Sequence, residues 1–196
     1  MIKAGRDGRS NFQLGTNENL FDYTYVGNVA HAHIIGAAKL LELVRKYESS
    51  PPADLSEAGL DGEDAPLELD GEPIIITNQS PIYFWDFARA IWHRYAALSP
   101  TPPPPVAPLS AVWQIPEGVA YSLGVLIGNV YSLFGLGVPR LSPSVVKVSC
   151  MPRYYRTNKS RTVLGYVPVW SLDEGLDRSI QWFCQREREE AGKKGQ

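Results

Sequence analysis

Apolar and polar positions alternate along this chain with two distinct periods, and each period marks out elements. Residues 21–26 place aromatic and β-branched side chains in alternation and predict a strand, which turns through Gly27 into a helix capped by Asn28. From there to residue 46, Ala30, Ile34, Ala37, Leu41 and Val44 recur at helical spacing, and Arg45 and Lys46 suit the negative end of the helix dipole. Ile74 to Thr77 is a short apolar run that reads as a buried strand. Ser80 and Pro81 then read as cap and first helical residue, and Phe84, Phe87, Ala88, Ile91 and Tyr95 form the aromatic stripe of the following helix. Ser142 and Pro143 repeat that cap signature ahead of a short helix toward Cys150. Asn158 predicts a cap for a helix over 159–164 that Gly165 ends. Ser171 and Glu174 form a capping box for a last helix whose apolar face is Leu172, Leu176, Ile180 and Phe183, and Lys193 and Lys194 lie in a frayed polar tail.

Three stretches break the pattern. Residues 49–72 hold Pro51 and Pro52 and then eight carboxylates, Asp54 to Glu72, with no lysine or arginine, which predicts a disordered acidic insertion. The spacing of those carboxylates lacks the aspartate ladder of a calcium loop. Pro100, Pro102 to Pro105 and Pro108 predict a stiff linker rather than a structural element. Residues 118–139 run for 22 positions without an ionisable acid or base other than tyrosine. As a helix such a run would span about 33 Å. Three readings stand for it: a transmembrane helix poor in apolar residues because of its five glycines, a membrane-embedded anchor flanked by Tyr121 and Tyr131, or the buried wall of an apolar pocket. The resulting segments are 1–48, 49–72, 73–99, 100–116, 117–141, 142–188 and 189–196.

Composition narrows the possibilities. With 196 residues, 44% hydrophobic content and net charge −2, the chain is long enough for one cored domain and carries no nucleic-acid footprint. Cys150 and Cys184 have no metal-ligand spacing and read as free thiols of a reducing compartment. His31 and His33, two apart on a helix, face different ways and cannot share a metal ion, so no metal site is expected. Arg153, Arg156, Lys159 and Arg161 gather around Tyr154 and Tyr155. This cluster either grips an anion, such as a substrate carboxylate or the phosphates of a cofactor held by another chain, or is a solvated face answering the acidic insertion.

Three blocks carry a resemblance. They are Asp22-Tyr-Thr-Tyr-Val-Gly-Asn-Val-Ala-His-Ala-His33 with Phe12-Gln-Leu-Gly15 before it, the run from Ile74 to Trp92, and Asn158 to Pro168 with Glu174-Gly-Leu176. In this order they resemble the C-terminal half of the 3β-hydroxysteroid dehydrogenases among the extended short-chain dehydrogenases, and more narrowly their fungal sterol-4α-carboxylate branch. The resemblance implies an α/β fold, the last strands and helices of a Rossmann-type sheet plus a substrate lobe. It also implies an upstream glycine-rich loop for NAD or NADP and a Tyr-x-x-x-Lys pair for proton transfer. Neither is found in its family place. No G-x-G-x-x-G occurs; after Gly135 and Gly137 come Val138, Pro139 and Arg140. Tyr155 and Lys159 have the pair's spacing, but Asn158 as cap leaves Tyr155 outside the helix, so the pair reads as coincidence.

The expectation is therefore a C-terminal, substrate-side fragment with the nucleotide-binding half missing, binding no NAD or NADP alone and carrying no catalytic residue of its own. Its partners would be a sterol, a membrane surface at the cytosolic face of the endoplasmic reticulum, and the absent half or a second copy. Sugar-nucleotide members of the superfamily place a phosphate-binding arginine where this chain has Phe21. The exchange removes a cation and adds apolar area, and with Tyr83, Phe84 and Trp85 it marks the candidate sterol-contacting residues. The alternatives are a non-catalytic sterol- or membrane-binding module derived from the family and a split enzyme completed by another chain. Strand edges left without partners would make the chain marginally stable.

Overall fold

The computed structural model describes residues 1–49, 69 and 71–194. The acidic stretch at 49–72 therefore lies, apart from Ser49, Leu69, Gly71 and Glu72, outside the described residues. In chain order the elements are α1 (Ile2–Arg6), β1 (Phe12–Leu14), β2 (Leu20–Phe21), α2 (Val26–Ser49), β3 (Ile82–Tyr83), α3 (Phe84–Leu98), a 3₁₀ turn (Leu109–Ala111), β4 (Trp113–Ile115), α4 (Glu117–Leu133), α5 (Pro143–Cys150), α6 (Asn158–Thr162) and α7 (Leu172–Lys194). The result is an α/β chain with short ribbons, β1 paired parallel to β4 and β2 antiparallel to β3. It divides into two units, one of residues 1–21, 81–154 and 176–196 and the other of residues 22–80 and 155–175.

The first unit has its core where α3 and α7 present their apolar faces. Leu14, Trp85, Ile91, Trp92, Tyr95 and Val146 are buried there, together with Leu176, Ile180 and Cys184 of α7. The stripe expected on α3 is rotated: Trp85 and Trp92 are buried with Ala88, Ile91 and Tyr95, whereas Phe84 and Phe87 are only partly covered. The N-terminus of α3 is also not where a proline at the first helical position put it. Ser80 and Pro81 precede β3, and the helix opens at Phe84. Its first N–H groups are satisfied from a distance, Phe84 N–H donating to the Asn19 carbonyl at 3.3 Å and Trp85 N–H to Asn17 Oδ1 at 2.8 Å. Asn17 accepts this role at φ 63°, a left-handed conformation that asparagine tolerates.

The proline-rich stretch is part of this unit rather than a free spacer. Ala107 N–H donates to Ser10 Oγ at 3.0 Å, Val106 packs against the core, and the end of the stretch forms the 3₁₀ turn and β4. The caps of α5 and α7 follow the sequence. Ser142 Oγ accepts from Val145 N–H with Pro143 in the first turn, and Ser171 and Glu174 bond each other's backbone N–H reciprocally. The polar end is helical rather than frayed, since α7 continues to Lys194, aided by Gln185 donating to Glu189 at 3.0 Å and an Arg186–Glu190 pair at 3.6 Å.

Of residues 118–139, those up to Leu133 lie in α4, and Gly135 and Gly137 follow at positive φ. Among the described residues no helix is long and apolar enough to cross a membrane. A pocket wall does not describe α4 either. Only Ala120 and Gly124 are buried, while Val119, Leu123, Leu126, Val130 and Leu133 form one exposed row. Gly124 lies on the inner side, where a Cβ would stand 3.1 Å from the Ser142 carbonyl carbon, a tight contact.

In the second unit, Ala32, Leu164 and Tyr166 make a small core with Ile35, Leu69, Ile74 and Ile76 against it. Two sequence expectations fail here. The strands expected at 21–26 and 74–77 are absent save for Leu20–Phe21, because a strand needs a neighbour and these segments have no ladder beyond β2 and β3 among the described residues. The stripe expected to be buried on α2 faces outward, with Ile34 69% and Leu41 59% exposed and Val44 also uncovered. The buried face of α2 instead centres on Asn28 and Ala32.

Candidate functional site

The segment from Asn17 to Phe21 organises one side of the first unit. The side-chain amide of Asn19, itself buried, donates to the carbonyls of Ser149 at 2.9 Å and Met151 at 3.4 Å. Leu20 accepts from Arg153 N–H at 2.8 Å, and Phe21 and Arg153 form a parallel bridge. The chain that leaves α5 is thus tied alongside β2. On the other edge of β2, Leu20 faces Tyr83 and Phe21 faces Ile82. Alternation across the ribbon puts Leu20 and Tyr83 on one face and Phe21 and Ile82 on the other.

The four candidate substrate contacts therefore divide. Phe21 and Phe84 meet edge to face at 5.6 Å, and Phe84 meets Trp85 at 5.3 Å in the same geometry. Trp85 is buried, its indole N–H donating to the Leu14 carbonyl at 2.9 Å and its ring 6.4 Å from that of Trp92. Tyr83 is exposed and does not join the stack. The positive charge that Phe21 was expected to remove is present by another route, for the Arg153 guanidinium lies 5.5 Å from the centroid of the Phe21 ring. Sequence reasoning placed Arg153 in a loose basic cluster; only the bridge to β2 gives it an address.

The second unit holds Tyr155 and Lys159. Tyr155 lies outside α6 and donates its backbone N–H to Asp22 Oδ2 at 2.9 Å, while Lys159 is ion-paired with Glu72. No helical turn joins the two, as a proton-transfer pair requires. α6 opens at Asn158, one residue earlier than expected, and Gly165 follows it at φ 65°. Asn28, expected as a cap, is instead a wholly buried hub. It donates to Asn78 Oδ1 at 3.0 Å and the Trp170 carbonyl at 2.7 Å, and accepts from Val169 N–H and Trp170 N–H, each at 3.0 Å. The sequence signal for this was slight, two asparagines beside an aromatic-rich loop. Nearby in sequence, Gln79 sits at φ 51°, and Gln79 Nε2 and Asp22 Oδ1 are buried without a hydrogen-bond partner among the described residues.

A dinucleotide needs a strand, a glycine turn open enough for pyrophosphate, and a helix N-terminus. The junction from β2 to α2 offers Gly27, but a Cβ there would meet the Tyr25 ring at 2.6 Å and the Trp170 ring at 3.0 Å. The space above this glycine is filled by the chain's own aromatic rings. The junction from β3 to α3 has no glycine, and that from β4 to α4 places Glu117 in the first helical turn, where a phosphate would be repelled. These residues do not fit a pyrophosphate.

The chain is 34% identical over 176 residues to a decarboxylating sterol-4-alpha-carboxylate 3-dehydrogenase of Candida albicans, an alignment covering 90% of this chain and 42% of that protein. Its namesake in Saccharomyces cerevisiae is 33% identical with the same coverage, and that of Schizosaccharomyces pombe is 34% identical over 93% of this chain and 44% of that protein. The chain thus spans less than half the length of these curated relatives. No solved structure matches it significantly. The sequence model of the 3-beta hydroxysteroid dehydrogenase/isomerase family matches residues 1–102, and the chain belongs to that family.

Proposed function

We propose that this chain is the C-terminal, substrate-side portion of an NAD(P)-dependent 3β-hydroxysteroid or sterol-4α-carboxylate 3-dehydrogenase of sterol biosynthesis, and that it is inactive by itself. In the complete enzyme a sterol 3β-hydroxyl is oxidised, and the resulting 3-ketone accepts the electrons released when a 4α-carboxylate leaves as carbon dioxide. The nucleotide loop and the tyrosine and lysine that move the proton belong to sequence outside these residues. Phe84, only partly covered, supplies apolar contact to the sterol, with the buried Phe21 and Trp85 as the support behind it, while Tyr83 stands on the other face of the ribbon. The observation that carries the reading is the uncovered apolar surface of the second unit. Ile34, Leu41 and Val44 of α2 are exposed together with Ile75 of a segment that has the sequence of a strand and, among the described residues, no ladder. That is the surface a larger sheet would cover.

The exposed row on α4 and the apolar residues after it, Phe134, Leu136 and Val138, support a resting place on a membrane at the cytosolic face of the endoplasmic reticulum. They also favour a second reading, a non-catalytic sterol- or membrane-binding module. One experiment separates the two. The chain is joined to the nucleotide-binding half of a fungal relative and assayed for NAD reduction with a 4α-carboxysterol. The enzyme reading expects turnover by the fusion and none by either part alone. A fusion that is folded and binds NAD and sterol yet transfers no hydride would leave only the binding module.

A further inference from the structure

Several arginines of the first unit answer a carboxylate. Arg6 pairs with Glu187, Arg89 with Asp86 and Arg94 with Asp177. Arg153 makes no ion pair among the described residues, yet its backbone is tied to β2. Its backbone is bonded to Leu20 and bridged to Phe21, the preceding turn is held by buried Asn19, and its guanidinium rests over the Phe21 ring. At 5.5 Å from the ring centroid the guanidinium is held by a cation–π attraction that uses none of its N–H donors, and the side chain is exposed. Those donors match the two oxygens of a carboxylate. Phe21 is buried beneath the guanidinium, and Phe84, which meets it edge to face, is only partly covered and offers apolar surface on the same aromatic pair. An anion attached to a flat hydrocarbon body meets both requirements at once; a free phosphate or an uncharged sterol meets one.

We infer that Arg153, seated on Phe21, is the specificity-determining residue that recognises the carboxylate of a carboxysterol. This rests on the substrate-side reading above and assigns the part of the substrate that this residue reads. Holding the carboxylate positions the sterol without touching the reacting hydroxyl, so the consequence is selectivity among sterols and not proton transfer.

The test uses the full chain and two probes, a 4α-carboxysterol and its 4α-methyl counterpart, in equilibrium binding with wild type, Arg153→Leu and Arg153→Lys. Wild type is expected to prefer the carboxysterol by about tenfold or more, the order of one charge-assisted pair. Arg153→Leu should abolish the preference and leave methylsterol binding in place, and Arg153→Lys should restore only part, since lysine lacks the planar fork. In wild type, added salt should weaken carboxysterol binding and spare the methylsterol, a check that needs no variant to fold. Methylsterol binding with a preference that survives Arg153→Leu, or that salt does not touch, would overturn the assignment of Arg153 alone. Failure of wild type to bind either sterol would overturn the sterol reading and this inference with it.

Discussion

Replacing Asn28 by alanine tests the most connected side chain of the second unit. Asn28 is wholly buried and makes four hydrogen bonds. The loss is unequal among its partners. The Trp170 carbonyl still accepts from Asn78 Nδ2 at 3.1 Å, and Asn78 Oδ1 still accepts from Tyr25 N–H at 2.8 Å. The N–H groups of Val169 and Trp170 lose their acceptor, at a cost of about 1–3 kcal/mol for each donor left unsatisfied. Partial access of water to these two bonds favours the lower half of that range, so Asn28→Ala is expected to lose about 2–4 kcal/mol, a large share of the ~5–15 kcal/mol typical of a domain. Asn28→Asp separates geometry from chemistry. It keeps the acceptor but replaces the donor by an oxygen that faces the two oxygens of Asn78 and Trp170, so it too should be destabilised, and more at neutral than at acid pH because the protonated acid can donate. Urea unfolding followed by circular dichroism measures both. A loss below about 1 kcal/mol for Asn28→Ala, or an Asn28→Asp variant indifferent to pH, would refute the hub.

Alkaline pH should unfold the chain earlier than its net charge suggests. Burial raises Cys150 and Cys184 above the ordinary thiol value of 9.0, and Tyr23, Tyr95 and Tyr166 above 10.0. These groups are neutral when protonated, so their contribution is whole below the unfolded values and is lost as pH climbs through the raised folded ones. Melting temperatures that stay level between about pH 7.5 and pH 10.5 would contradict this. Leu126→Glu and Leu133→Glu, on the exposed row of α4, should abolish flotation of the chain with phospholipid vesicles while leaving its circular dichroism unchanged. Undiminished flotation of the double variant would remove the membrane from the proposal. Gly175→Val should destabilise the start of α7, since a Cβ there would lie 2.6 Å from Tyr25 Cβ; a melting temperature equal to wild type would show that Tyr25 yields.

Much of this was legible because local rules and packing agree. The serine caps before α5 and α7 and the apolar face of α7 are written within a few residues of themselves, and the structure repeats them. What failed depended on distant chain. The α3 start is set by Asn17 and Asn19, dozens of residues upstream, so Ser80 and Pro81 gave a cap signal with no helix behind it. The α2 stripe and Ile75 have the sequence of buried positions but nothing described covers them. Periodicity records what a residue is built to face, and burial records what is there. At the candidate site, the aromatic residues were visible as types and as neighbours in sequence. The Phe21–Phe84 contact and the seating of Arg153 come from a β-bridge and a buried asparagine, which no spacing rule encodes.

The central claim, that these residues fit a sterol while the redox machinery lies elsewhere, is tested most directly by hydride transfer. NAD reduction is followed with the purified chain, a 3β-hydroxysterol, and the variants Tyr155→Phe and Lys159→Met. The expected result is no transfer above background by any of the three proteins. Turnover by the wild-type chain, lost when Tyr155 or Lys159 is changed, would contradict the claim.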